Sequence, residues 1–132
     1  MNKQSQLSQL LSQLHPKRRL RSIGHALAGW LVMLREEPNS WIHALATLVV
    51  IALGLGVGLQ RWEWCALALA IGMVWCAEAL NSAIEALADR VNPEDDPAIK
   101  RCKDLAAAAV LGCAVTAVAI GLLVFGPYLA AL

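Results

Sequence analysis

The stretch from Leu105 to Leu132 runs for 28 residues without a charged side chain. No other feature limits the possible folds of this chain as strongly. A transmembrane helix needs about 20 apolar residues, and this run exceeds that length. A second stretch, Trp41 to Leu59, also qualifies, with His43 as its one titratable group. A third, Trp64 to Ala77, is too short by itself. It crosses a bilayer only if its helix continues past Glu78, Asn81 and Glu85 towards Ala88. Composition agrees with a membrane protein. The residues AVILMFWYC make up 58% of the 132 positions and charged residues only 16%, against about 25% charged in soluble domains. A body of this size has too little interior to hide so much apolar side chain. The same richness in apolar residues excludes a disordered chain. The fold class expected is all-α, with transmembrane helices at about 40–59, 63–88 and 104–130. A net charge of +1 supplies no global field for nucleic acid, and no such partner is expected.

The distribution of charge sets the expected topology. Gln60 to Glu63 is a short hinge, so the first two spans form an antiparallel hairpin. Asp89 to Asp104 is a longer polar segment, in which Asn92-Pro93 and Asp96-Pro97 stop helices and start turns. Of the 11 basic residues, all but Arg61 fall before the first span or in this second loop. The positive-inside rule then places the N-terminus and second loop in the cytoplasm and the C-terminus outside.

Ahead of the spans, Leu7, Leu10, Leu11 and Leu14 have helical spacing, and Pro16 ends that segment. From Arg19 to Arg35 the pattern is stronger. Leu20, Ile23, Leu27, Leu31 and Leu34 recur at three- and four-residue steps between flanking arginines. This is expected to be an N-terminal amphipathic surface helix, at about 19–35, lying on the bilayer. Met1 to Leu20 lacks the continuous apolar core of a secretory signal. Cys65, Cys76, Cys102 and Cys113 form no CxxC pair and read as small apolar fillers.

The second span carries the chemistry. Glu78, Asn81, Glu85 and Asp89 follow at steps of three, four and four. At about 100° per residue they share an arc of about 80° on one helix face. A charge at the bilayer centre costs about 2.5–3.5 kcal/mol on insertion scales, so several carboxylates on one face must look into a bundle or a wet cleft. Glu85 and Asp89 could simply be solvated at the end of a long helix. Glu78 and Asn81 lie deeper, after fourteen uncharged residues. Glu36-Glu37 precedes the first span and Lys103-Asp104 the third. With antiparallel helices, Glu37, Glu78, Asn81, Glu85, Asp89, Lys103 and Asp104 are expected to meet at the cytoplasmic interface. Carboxylates suit Mg²⁺, which commonly takes one or two of them together with substrate phosphates. A lysine can neutralise a phosphate, and a further carboxylate can accept a hydroxyl proton. This is a set of groups for phosphoryl transfer without a Walker loop, since no GxxxxGK[ST] occurs.

These residues resemble those of the prokaryotic diacylglycerol kinase and undecaprenol kinase family. The resemblance extends from about Arg18 to Phe125. Its most specific part is the run from Glu78 through Asn81, Glu85 and Asp89 to Arg90, followed by Lys103-Asp104-Leu105 and the alanines up to Val110. Glu37 and the pair Gly24 and Gly29 also fit. Residues 1–16 are expected to be a tail or weak amphipathic helix, and the resemblance implies a membrane kinase domain over 17–132, assembled as a homotrimer in the bacterial plasma membrane. It implies MgATP-dependent phosphorylation of a lipid hydroxyl, on diacylglycerol or undecaprenol, at the cytoplasmic interface. The product would feed phospholipid or lipid-carrier metabolism.

Carried over by motif, Glu78 is similar to the family's general base, with Asn81 supporting it. Glu37 and Glu85 are similar to the carboxylates holding Mg²⁺ on ATP. Arg18, Asp89, Lys103 and Asp104 resemble further nucleotide contacts. Two features bear on the substrate. Ala106-Ala107 stands where proteobacterial diacylglycerol kinases typically have Gly-Ser, and Asn39-Ser40-Trp41-Ile42-His43 is more similar to the undecaprenol kinase branch. His25 stands where a tyrosine is common.

A small oligomeric transporter or proton-coupled exchanger is the competing reading, because a carboxylate inside a small helical membrane protein commonly marks an ion path. Such a protein should carry its carboxylate near the midplane. Here the polar stripe grows denser towards one boundary, which favours the kinase.

Overall fold

The computed structural model describes residues 16–91 and 96–131, with side chains from residue 20 onward. The expected tail or weak helix over 1–16 therefore lies outside the described residues, apart from Pro16. All described secondary structure is helical: α1 Pro16–Glu36, α2 Pro38–Val57, α3 Arg61–Val91 and α4 Pro97–Ala130. The last three are each long and apolar enough to cross a membrane. The chain divides into two compact units, one ending at Glu36 and the other running from Glu37.

In the first unit, Pro16 occupies the opening position of α1, where its missing N–H costs nothing. Leu20, Ile23, Leu27 and Leu31 on α1 are all exposed. The helix stops at Glu36 because Pro38 disfavours helical backbone at the residue before it. Glu37 is accordingly extended, with φ −103° and ψ 110°.

In the second unit, α2 begins at Pro38 and ends at Gly58, whose φ of 72° lies in the left-handed region that glycine enters without strain. The Gly58 and Leu59 amides both donate to the Gly54 carbonyl, each at 3.2 Å. Gly54 is required for a different reason. A Cβ there would lie 2.7 Å from the Trp64 ring and 2.9 Å from Leu59 Cδ1. Gly54→Ala must push a packed indole aside, and overpacking of this kind costs about 1–3 kcal/mol. Its expected result is a lower thermal unfolding temperature in detergent, and an unchanged melt would refute that close approach.

Helix α3 opens with half of a capping box. The Gln60 amide donates to Glu63 Oε2 at 2.7 Å. The Tyr128 hydroxyl donates to the same oxygen at 2.8 Å, tying the end of α4 to the start of α3. Glu63 is thus a buried carboxylate with two donors, and its role is structural. Leu59, Leu67 and Val124 form the buried apolar cluster beside it. At the other end, Asp96 caps α4, its side chain accepting from the Ala98 amide at 2.7 Å. Helices α3 and α4 pack along one another extensively, whereas α2 meets α3 more sparsely. A groove therefore opens between α2 and α4, with α3 as its floor.

Candidate active site

The groove is a row of cavities sharing walls. At one end a cavity of about 310 Å³ is lined by Asn39, Ile42 and His43 of α2, by Glu78, Asn81 and Glu85 of α3, and by alanine and branched aliphatic residues of α4. Ile42, His43 and Ala114 are shared with a second cavity of about 380 Å³, whose lining is almost wholly apolar. That cavity shares Leu53, Val118, Gly121 and Phe125 with a third, of about 270 Å³, which reaches Tyr128. The arrangement is an apolar trough ending in a polar chamber.

The chamber's α3 wall is the stripe read from the sequence. Glu78 is 1% exposed and Asn81 7% exposed, whereas Glu85 is half-buried. Asn81 Nδ2 donates to Glu85 Oε1 at 2.9 Å, one helical turn away. Glu78 Oε2 and Asn81 Oδ1 are buried without a hydrogen-bond partner among the described residues. An unsatisfied buried polar atom costs about 1–3 kcal/mol, so two of them on one wall mark a surface shaped to meet something else.

Helix α2 supplies the opposing group. His43 Nε2 stands 3.8 Å from Glu78 Oε2. The imidazole meets Trp75 edge-on, with ring centroids 6.3 Å apart. Its own carbonyl accepts from Thr47 Oγ1 at 2.7 Å, and that oxygen accepts from Trp75 Nε1 at 3.1 Å. Glu37, half-buried where α2 starts, and Glu85 both act electrostatically on Glu78. Helix α4 adds no charge to the chamber; Ala107, Val110, Leu111 and Ala114 form a smooth wall.

Beyond the chamber, Lys103 Nζ donates to Asp89 Oδ1 at 2.9 Å, joining α4 to α3. Both side chains are substantially exposed, so the pair adds little to stability. Its effect is to hold a cation beside the stripe, and Glu85 acts electrostatically on Lys103 as well as on Glu78. Of the residues singled out in the sequence, Glu78, Asn81 and Glu85 thus share one cavity, and Asp89 and Lys103 pair next to it. Asp104 is exposed. Arg18 belongs to the other unit, and its side chain lies outside the described residues.

Sequence reasoning passed over His43 and Asn39 as site residues. A signal was available: Asn39, Ser40, His43 and Thr47 are polar positions at one-, three- and four-residue steps in an otherwise apolar span.

Among the described residues no group of three or more His, Cys, Asp or Glu side chains is arranged to hold a metal. Mg²⁺ needs no such cage when phosphates complete its shell. The half-buried carboxylates of Glu37 and Glu85 are chemically suited to it.

Two comparisons with known proteins bear on this site. The family model for prokaryotic diacylglycerol kinase matches residues 24–125, a range that contains every chamber residue and the Asp89–Lys103 pair. The undecaprenol kinase of Bacillus subtilis (strain 168) is 39% identical over 109 residues, covering 83% of this chain and 89% of that relative.

Proposed function

The chain belongs to the prokaryotic diacylglycerol kinase family and is a lipid kinase, and on that premise we propose that it moves the γ-phosphoryl group of ATP to a lipid hydroxyl held against Glu78. The observation that carries this reading is the placement of Glu78: a buried carboxylate with an unpartnered oxygen in the polar chamber, 3.8 Å from His43, which lines both the chamber and the apolar trough. A lipid chain lies along the trough, and its hydroxyl arrives at the carboxylate. Glu78 takes the hydroxyl proton as the lipid oxygen bonds to the γ-phosphorus and the bridging bond to ADP breaks. Asn81, which cannot titrate, steadies Glu85 through its amide and keeps Oδ1 for the reacting groups. Glu37 and Glu85 would hold Mg²⁺, which would supply charge neutralisation for the phosphates. Lys103 faces the phosphates once ATP draws it from Asp89. Asp89 and Asp104 complete the nucleotide contacts.

Helix length supports a boundary location. At about 1.5 Å per residue, Glu78 lies about 25 Å along α3 from Arg61, and Glu85 about 36 Å. The hydrocarbon layer is about 30 Å thick. With Arg61 at one face, Glu78 sits just inside the other and Glu85 beyond it, in water. The distribution of basic residues makes that face cytoplasmic. Helix α1, with its exposed leucines and flanking arginines, is suited to lie on a bilayer surface. The many exposed apolar side chains on α2 and α4 meet lipid and the other two copies of a homotrimer. The kinase family decides against a transporter.

The relative's printed name makes a polyprenol the first substrate to try, with diacylglycerol beside it. The purified protein in mixed micelles, given γ-labelled ATP and each lipid in turn, should label at least one of them in a Mg²⁺-dependent reaction. Labelling of neither lipid would overturn the proposal.

A further inference from the structure

We propose that His43 is a positioning residue that acts through Glu78, carrying away the proton that its carboxylate collects. The inference rests on the reading of Glu78 as the base. A base that takes a proton in every turnover must release it before the next. Glu78 is badly placed to do so unaided, since its side chain is 2% exposed. The His43 side chain, 3.8 Å away, is 17% exposed. It bridges the enclosed carboxylate and the open part of the chamber.

Among the described residues no other group facing Glu78 can serve. From α2 the titratable neighbours are His43 and Glu37; from α3 the neighbour is Glu85; from α4 only apolar residues face the chamber. Glu37 and Glu85 are like charges that repel the ionised base and are assigned to metal. Among the described residues facing Glu78, His43 alone offers a nitrogen lone pair that can accept a proton from the acid, with Nδ1 carrying the N–H of the neutral ring. The ring is also fixed in place. Trp75 packs edge-on against it, and the Thr47 hydroxyl bonds both the His43 carbonyl and the Trp75 indole. A separation of 3.8 Å is long for a hydrogen bond, but catalytic contacts commonly tighten once substrate arrives.

The protons balance as follows. The lipid O–H bond breaks and its proton passes to Glu78. The lipid oxygen bonds to the γ-phosphorus, and the bridging oxygen leaves with its electron pair on ADP. The proton then passes from neutral Glu78 to Nε2 of neutral His43, restoring the carboxylate and forming imidazolium. Imidazolium releases it to water at the chamber mouth.

The test uses His43→Gln and His43→Asn in the full-length protein, beside Glu78→Gln. Both His43 variants should lose about 10-fold or more in kcat, with KM for ATP and for lipid unchanged. Added imidazole should restore turnover in proportion to its neutral form and leave the wild-type rate alone. A packing role would not produce that rescue. The proposal is overturned if both His43 variants turn over normally, if the loss appears in KM without rescue, or if both lose their cooperative thermal melt. Glu78→Gln separates the two readings. If it is inactive with and without imidazole while the His43 variants are normal, the relay alone fails. If Glu78→Gln turns over normally, the base assignment itself fails.

Discussion

Glu78→Gln is expected to reduce turnover by roughly 10²-fold or more, with MgATP binding and folding retained. The substitution preserves volume, so the wall shared with α2 stays filled. It removes a negative charge from a side chain that is 2% exposed and near two other carboxylates. Ending the burial of that charge and its repulsion by Glu37 and Glu85 offsets the lost attraction to His43, so the fold should be retained. A purely structural carboxylate predicts the opposite: loss of expression or assembly, with normal turnover in whatever folds. Nucleotide binding, thermal melting and turnover measured on one preparation distinguish these outcomes. Normal turnover, or a matching fall in folding and turnover, would refute the role as base.

Glu85→Gln and Glu37→Gln should act on a different quantity. Each removes an anionic oxygen without removing packing volume, so the magnesium concentration giving half-maximal rate should rise by about 10-fold or more, while turnover at saturating metal recovers in part. Glu85 carries a second expectation, because its Oε1 accepts the Asn81 amide at 2.9 Å. Glutamine can still accept there, so Asn81 should stay oriented and the defect should remain confined to metal use. Magnesium titrations unchanged in both variants would remove these residues from the metal site.

The membrane-spanning architecture was legible because it depends on one-dimensional quantities. Length of uncharged run and helical period are both read along the chain, and a bilayer imposes a fixed thickness on them. The three spans expected at about 40–59, 63–88 and 104–130 lie largely within helices Pro38–Val57, Arg61–Val91 and Pro97–Ala130. The helices differ from those ranges at their ends, where local chemistry takes over. Gly58 closes α2 by adopting a positive φ, and the Asp96 cap starts α4 well before its uncharged run. A hydropathy reading registers neither.

Half of the candidate site was legible for the same reason. Glu78, Asn81 and Glu85 sit on a single helix, and a spacing of three and four residues places them on one face in any context. The family resemblance, confirmed by the match over residues 24–125, rests largely on that stripe. What stands opposite the stripe required the fold. His43 lies 35 positions before Glu78, and only the way α2 meets α3 brings Nε2 to 3.8 Å from Oε2. The apolar trough likewise belongs to no segment: it exists because α3 and α4 pack closely while α2 stands apart. The chain alone thus determined three apolar helices and the order of polar groups along one of them, because both follow from periodicity within a helix. Only the tertiary structure decided which side chain faces the buried carboxylate and where a lipid chain can lie. Those depend on contacts between helices, which spacing along the sequence does not encode.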